Sequence, residues 1–425
     1  MTPGPGVLPE PQPASAVRGP LPLPEDRQPV IIAARRTPLC RANGALKQLR
    51  AHELLAPVLR SLLSAGNPGT GARSGPGIDP GAVTDVVIGN AVGAGGNVAR
   101  LAALAAGLPV SVPGITVDRQ CGSGLDAIVL ASRLVAAGNG GVYLAGGVES
   151  ISTAPLRAHR SQDGTPEFFR RAQFVPPSHG DPDMGVAAEN VAARFGISRA
   201  RQDAFALRSH RRALAAAGAG AFDGELLPIT AGSGSGSSTT VSADDGPRPS
   251  LTPALLARFA PVFSAGGTVT AGNSCFDADG AAAVVITSLE RARELGARDG
   301  LLVLGTDTAG VDPRLLGIGA AAAAERLLAA QGLTAGEVGL VEFNEAFASQ
   351  ALACLDQLGI DPVRVNLDGG ALALGHAYGA SGAVLVTRLL AQARRNPVEG
   401  QLALALISIA GGMGTAALLG YRRLS

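Results

Sequence analysis

A cysteine, a histidine and an Asn-Glu pair stand out in this chain, each in a glycine-rich or strand-end setting that would hold a reactive side chain still. Cys121 lies in VDRQCGSGLDAI, where Gly122 and Gly124 permit close backbone approach and the following helix would aim its positive end at the sulfur. That placement predicts a lowered thiol pKa and a nucleophile. A cysteine at a helix start can also be structural; the glycines and the repeat described next favour chemistry. His376, in GGALALGHAYGASGA between Gly375 and Gly379, carries the group that could deprotonate such a thiol, although a histidine can equally be a satisfied core residue. Asn344 and Glu345 end an apolar run at VEFNEAFA, where amide and carboxylate can order a water, orient an imidazole or simply cap a strand.

The elements that must position these groups show in a weak internal repeat. IDPGAVTDVVIGNAV, from Ile78 to Val92, aligns with LTAGEVGLVEFNEAF, from Leu333 to Phe347, and the same offset places IVLASRLVAA from Ile128 on AVLVTRLLAQ from Ala383. Two apolar helices can also match by chance. Each unit reads as helix, strand, glycine-rich connection, helix and buried strand, the last at Val142 to Ala145 and at Leu402 to Ile409. The alternation predicts an α/β protein of two similar halves with mainly parallel sheets. In this register Cys121 falls opposite His376, each just before a helix, so a pseudo-dyad would bring two helix N-termini and two reactive side chains together.

The expected organisation is a proline-rich disordered leader at 1–28, a first half at 29–150, an inserted loop or lid domain at 151–275, a return to the first half at 276–300 and a second half at 301–425. Within the insert, GSGSGSSTT from Gly232 reads as flexible. The run from Leu402 to Tyr421 is uncharged and long enough to span a bilayer, but Ser408, Gly411, Gly412 and Gly414 within it fit two buried strands joined by a glycine turn.

Composition narrows the function. With 425 residues, 46% of them hydrophobic, the chain can bury a sizeable core, and 35 basic against 34 acidic residues leave no footprint for nucleic acid or an anionic membrane. A small-molecule partner is expected. Lys47 is the only lysine, so phosphate groups would have to be held by arginines, backbone amides or helix N-termini. Cys40, Cys121, Cys275 and Cys354 are far apart with no CxxC pair, which predicts no disulfide framework and no metal site, and the N-terminal stretch has no signal-peptide pattern. A cytoplasmic enzyme is the reading.

These residues lie in motifs that resemble the thiolase family, the acetyl-CoA acyltransferases, from about Val30 to Tyr421. The resemblance rests on RRTP at Arg35, the block around Cys121, AGGVES at Ala145, MGVAAENVAARFGISRARQDAFALRS at Met184, TVTAGN at Thr268, NEAF at Asn344, GGALALGH at Gly369 and AGGMG at Ala410. It implies a thiolase fold of layered αβαβα halves with an inserted loop domain. It implies an acyl-CoA or related thioester as substrate, no tightly bound cofactor, and a homodimer or homotetramer whose insert reaches the neighbouring subunit. It further implies a ping-pong reaction in which Cys121 takes the acyl group with help from His376. CoA or an acyl-CoA carbanion then takes it up. Oxyanion stabilisation would come from His376 with a water on Asn344, and from backbone amides at Cys121 and at the Ala410–Gly411 turn. Arg248 would meet the nucleotide end of CoA, and Met184 and Phe347 would border the acyl and pantetheine region.

The chain also departs from the family pattern. Ser408, in SIAGGMG, stands where the family has a second cysteine that deprotonates the attacking thioester, and a hydroxyl is a poor base beside a thiol. Cys275 and Phe276 replace a small pair beside the pantetheine arm, and Ala377 and Tyr378 replace a proline and an aliphatic residue after His376. Altered specificity is one reading of these changes and ordinary drift another. A decarboxylative condensing enzyme, an acyltransferase to a non-CoA nucleophile and a catalytically weak CoA-binding homologue remain alternatives.

Overall fold

The computed structural model describes residues 23–64, 77–139, 141–232 and 238–425. The expected leader therefore lies outside the described residues as far as residue 22, as does the centre of the Ser/Gly run at 233–237. Glu25–Arg27 form one 3-10 turn, and Gln28 Nε2 donates to the Val303 carbonyl at 2.7 Å, so the chain is tied to the sheet just before its first strand.

Strands Pro29–Arg36, Val142–Glu149 and Ala278–Ser288 are buried along their whole length, as strands covered on both faces must be. They form the middle of a ten-stranded sheet. Its order is Leu340–Phe343, Leu402–Ile409, Met413–Arg423, Asp299–Gly310, Pro29–Arg36, Ala278–Ser288, Val142–Glu149, Val83–Gly89 and Gly114–Val117, with Cys40–Arg41 paired to Ala278–Ser288 off this path. The parallel pairing expected from the αβ alternation occupies the two wings, where Leu340–Phe343 lies beside Leu402–Ile409, and Val83–Gly89 beside both Val142–Glu149 and Gly114–Val117. Antiparallel pairs join the wings through the centre. Except for Leu402–Ile409 with Met413–Arg423, these pairs connect segments far apart in sequence, which local alternation does not report. The uncharged run from Leu402 folds as a hairpin turning at Ala410–Gly412. No helix among the described residues is long and apolar enough to cross a membrane.

The repeat is visible in space. Val83–Gly89, helix Ser123–Ala136 and Val142–Glu149 in one half correspond to Leu340–Phe343, helix Tyr378–Arg395 and Leu402–Ile409 in the other. Fourteen of the 18 residues of Tyr378–Arg395 are buried, so this helix is covered on all sides rather than presenting a polar face to water. It packs on Ser123–Ala136 through Gly124, Gly379 and Gly382, where neither backbone leaves room for a Cβ. The two helix N-termini therefore converge, as the register of the repeat predicts.

The segment after Glu149 contributes the hairpin Arg157–Arg160 with Pro166–Phe169, the helices Met184–Phe195 and Arg199–Gly218, and the pair Ile229–Gly232 with Ser238–Val241. Buried charges fasten it to the sheet and the central helix. Arg36 bonds Glu225 at 2.6 Å and Asp244 at 2.7 Å, and Arg388 bonds Glu225 and Asp368. Each of these buried guanidinium groups has a carboxylate partner, the condition under which a buried charge is tolerated.

Candidate active site

The turn Gln120–Gly122 carries Cys121 directly into helix Ser123–Ala136. Gln120 takes φ of 46°, and two hydroxyl bonds hold the turn: Ser123 Oγ accepts from Arg119 N at 2.8 Å and donates to Gln120 O at 2.6 Å. Gly122 faces Ile409 so closely that a Cβ there would strike the isoleucine side chain, which sets the end of strand Leu402–Ile409 against the cysteine turn. The backbone amides of Ala410 and of Cys121 itself are directed at the sulfur. Their pull does not produce the lowered pKa expected from the sequence. Burial pushes the thiol up to about 11, and Glu149 and Asp118 add to it, because removing a thiolate from water outweighs two N–H groups and a helix end.

His376 is held by its backbone on both sides, its N–H donating to Phe276 O at 2.9 Å and its carbonyl accepting from Ala278 N at 3.2 Å. Nδ1 lies 2.6 Å from Ser381 Oγ, one turn further along in the helix that follows. Nε2 is buried and has no hydrogen-bond partner among the described residues. Burial alone depresses the imidazole to about 4, so the ring is neutral near pH 7. In the tautomer in which Nδ1–H donates to Ser381, Nε2 carries the free lone pair of a base. The resting site thus holds a neutral thiol and a neutral imidazole rather than a preformed ion pair.

Both open on one cavity of about 1050 Å³. Ser408, Ala410, Met184, Cys275, Phe276, Phe347 and Tyr378 line it. Three expected residues are not in its lining. Asn344 borders a separate void of about 20 Å³ with Ser381 and Glu342, and its Nδ2 is buried without a partner. Arg248 is exposed, its backbone N–H donating to His210 Nδ1 at 3.2 Å. Gly411 turns at φ of 84° beside Phe174. Phe276 lies under the Arg41 guanidinium, 3.7 Å from ring centroid to Cζ, and against Gly246 and Gly375, neither of which leaves space for a side chain. Gly375 also takes φ of 99°, which glycine alone adopts without strain.

Ser408 is saturated. Its hydroxyl donates to Gly317 O at 2.6 Å and accepts from Ala320 N at 3.1 Å and Gln350 Nε2 at 3.2 Å. Four further groups escaped the sequence reading: Ser381 behind the imidazole, Gln350 beside Ser408, Asp277 in the cavity wall, and Glu149. The carboxylate of Glu149 accepts from Asn90 Nδ2 at 2.7 Å, Ala91 N at 3.0 Å, Val92 N at 3.3 Å and Gly379 N at 3.0 Å. It thereby joins the first half to the N-terminus of the helix that follows His376. Signals were present for Glu149, which lies within the AGGVES motif, and for Ser381, which lies within the glycine-rich run around His376.

Two family models match this chain: "Thiolase, N-terminal domain" over residues 29–290 and "Thiolase, C-terminal domain" over 301–421. The chain belongs to the thiolase family. Among its relatives, a protein of Staphylococcus haemolyticus named "Putative acetyl-CoA C-acetyltransferase VraB" is 43% identical over 396 residues, covering 92% of this chain and 98% of its own. A Bacillus subtilis protein named "Putative acetyl-CoA C-acetyltransferase YhfS" is 43% identical over 390 residues with the same coverage. The crystal structure of the Bacillus anthracis acetyl-CoA acetyltransferase superposes with a TM-score of 0.83 at 35% identity, over 93% of this chain and 98% of that one. Human mitochondrial 3-ketoacyl-CoA thiolase gives 0.83 at 33% identity, over 93% and 99%. The thiolase fold and membership of an acyltransferase family follow, in agreement with the sequence motifs.

Proposed function

We infer that this thiolase takes an acyl group from an acyl-CoA onto Cys121 and passes it to CoA or to an acyl-CoA carbanion. The observation that carries the reading is the convergence of Cys121, with the Ala410 amide directed at its sulfur, and the unpartnered His376 Nε2 on one cavity. His376 removes the thiol proton as sulfur attacks the thioester carbonyl, and returns it to the departing CoA sulfur. The Cys121 and Ala410 amides receive the oxyanion. A second carbonyl would bind through a water at Asn344 Nδ2, which is unpartnered. CoA is substrate here, and the chemistry calls for no further cofactor.

Specificity follows from the cavity wall. Phe276 and Tyr378 add bulk to the wall of the cavity that holds Cys121, which favours an acyl thioester different from that of a thiolase with small residues there. Four unpaired cysteines fit a reducing, cytoplasmic setting. A homodimer is supported by the sheet edge at Gly114–Val117, around which Leu101, Leu104, Val110 and Ile115 are exposed.

Intact mass after incubation with acetyl-CoA and longer acyl-CoAs tests the central step. An acyl adduct that disappears in Cys121→Ala is expected; no adduct with any thioester refutes the reading. Light scattering on the eluting protein tests the dimer.

A further inference from the structure

A phenol and a carboxylate meet in the cavity wall. Tyr378 Oη donates to Asp277 Oδ1 at 2.5 Å, and both residues line the cavity that holds Cys121. The backbone fixes this pairing. Phe276 O accepts from His376 N, and Ala278 N donates to His376 O, so the residues on either side of Asp277 are bonded to the loop that carries Tyr378. Cys275 N donates to Ala346 O at 2.9 Å and anchors the other end of the segment. The Tyr378 ring stands edge-on to the His376 ring with centroids 5.1 Å apart, and burial together with the neighbouring Asp277 carboxylate raises the pKa of its hydroxyl. Among the described residues Asp277 is the only carboxylate lining the cavity.

The other candidate bases are committed. The Ser408 proton is held by Gly317 O and both of its lone pairs receive N–H groups, so accepting a substrate proton would break this arrangement. His376 Nε2 serves the sulfur of Cys121. Resting on the acyl-Cys121 reading above, we propose that Tyr378 and Asp277 form the proton relay of the second half-reaction. Tyr378 oxygen takes the α-proton of the second acyl thioester while its own proton passes to Asp277. The electron pair of that C–H bond forms the new C–C bond to the acyl carbonyl, and the C–S bond to Cys121 breaks with its pair left on sulfur. The proton on Asp277 then returns through Tyr378 to that sulfur, which restores the resting thiol. In the cleavage direction the same proton is delivered to the departing carbanion. Tyr378 is the group that meets substrate, and Asp277 acts through it.

Deuterium incorporation at C2 of acetyl-CoA in D₂O, followed by mass spectrometry, reports removal of the α-proton without requiring C–C bond formation. Tyr378→Phe and Asp277→Asn should each lose about 100-fold or more in this exchange, the usual scale of a lost general base. Acylation of Cys121, read by intact mass, should slow by no more than about threefold, because the relay acts after that step. Exchange that survives in both variants overturns the proposal, as does a parallel loss of acylation and exchange, which marks a structural or binding role. Loss of exchange in Ser408→Ala with exchange intact in Tyr378→Phe assigns the base to the serine and also overturns it. A wild-type protein that forms the adduct but exchanges no deuterium sinks the relay alone. No adduct on the wild type sinks the acyl-Cys121 reading beneath it.

Discussion

The backbones of Gly124 and Gly379 touch where the two central helices begin: a Cβ built on Gly124 would lie 2.5 Å from Gly379 O and 3.0 Å from Ala383 N. This contact sets the distance between the Cys121 turn and the His376 loop, since each residue lies three positions beyond its reactive neighbour. Gly124→Ala must push the helices apart, and overpacking of this kind costs about 1–3 kcal/mol. Gly218→Ala, at the open end of helix Arg199–Gly218 with nothing within 4 Å, should instead be neutral or stabilising by about 0.5–1 kcal/mol. Thermal unfolding of the two variants compares them; equal melting temperatures would refute the claim of close approach.

The protonation states of the site make a second prediction. His376 is depressed to about 4 and Cys121 raised to about 11, so neither changes charge between pH 5.5 and pH 8. In a Glu149→Gln background, which takes out the carboxyl that burial raises to about 7, single-turnover acylation by acetyl-CoA should be flat across that range, where an ordinary histidine would impose an inflection near 6.5. Stability should behave differently. The folded pKa of His376 lies below its unfolded value, so its contribution is complete above about 6.5 and is lost as pH falls toward 4, on the order of 3 kcal/mol. An acylation inflection near 6.5 in a rapid-quench series would show that the imidazole is solvated and refute the neutral pair.

How much of this could be read in the chain depends on the range of the forces involved. Cys121 and His376 were legible because glycines within a few residues of each determine their local backbone, and the repeat aligned them. The pKa of Cys121 was not, because helix position is local while burial is tertiary, and burial dominates. The bond from Tyr378 to Asp277 joins residues 101 apart, and the antiparallel centre of the sheet joins strands separated by even longer intervals. Neither leaves a periodic mark. Arg248 was expected at the ligand from its motif alone, and the structure puts its side chain outside the cavity lining.

Glu149 supplies a third prediction because two effects on it oppose each other. Burial raises its carboxyl to about 7, yet both oxygens accept N–H groups, two each, which only the carboxylate satisfies fully. Glu149→Gln removes the buried charge but turns an NH₂ group toward N–H donors. If the hydrogen bonds dominate, the variant loses about 1–3 kcal/mol, the cost of leaving buried donors unpaired, and acylation slows as Gly379 and the adjoining His376 loop loosen. A variant more stable than wild type in chemical denaturation would show that relief of burial dominates instead.

Ser408 and Tyr378 together give the most discriminating test of the second half-reaction. The Ser408 oxygen sits at the N-terminus of helix Gly319–Gln331, receiving Ala320 N–H and Gln350 Nε2. Those donors would stabilise a thiolate in its place, and a thiol ionises near 8.5 where an alcohol does not. Ser408→Cys therefore installs a base at a position already equipped to hold its charge. If Tyr378 and Asp277 move the proton in the natural chain, Tyr378→Phe is slow in acetoacetyl-CoA thiolysis, and adding Ser408→Cys to it restores turnover by about 100-fold, the scale of one general base. In the wild-type background the same change should raise turnover far less, because a working relay is already present. A large gain from Ser408→Cys alone, with no loss in Tyr378→Phe, would mean that the serine limits the reaction and the phenol takes no part.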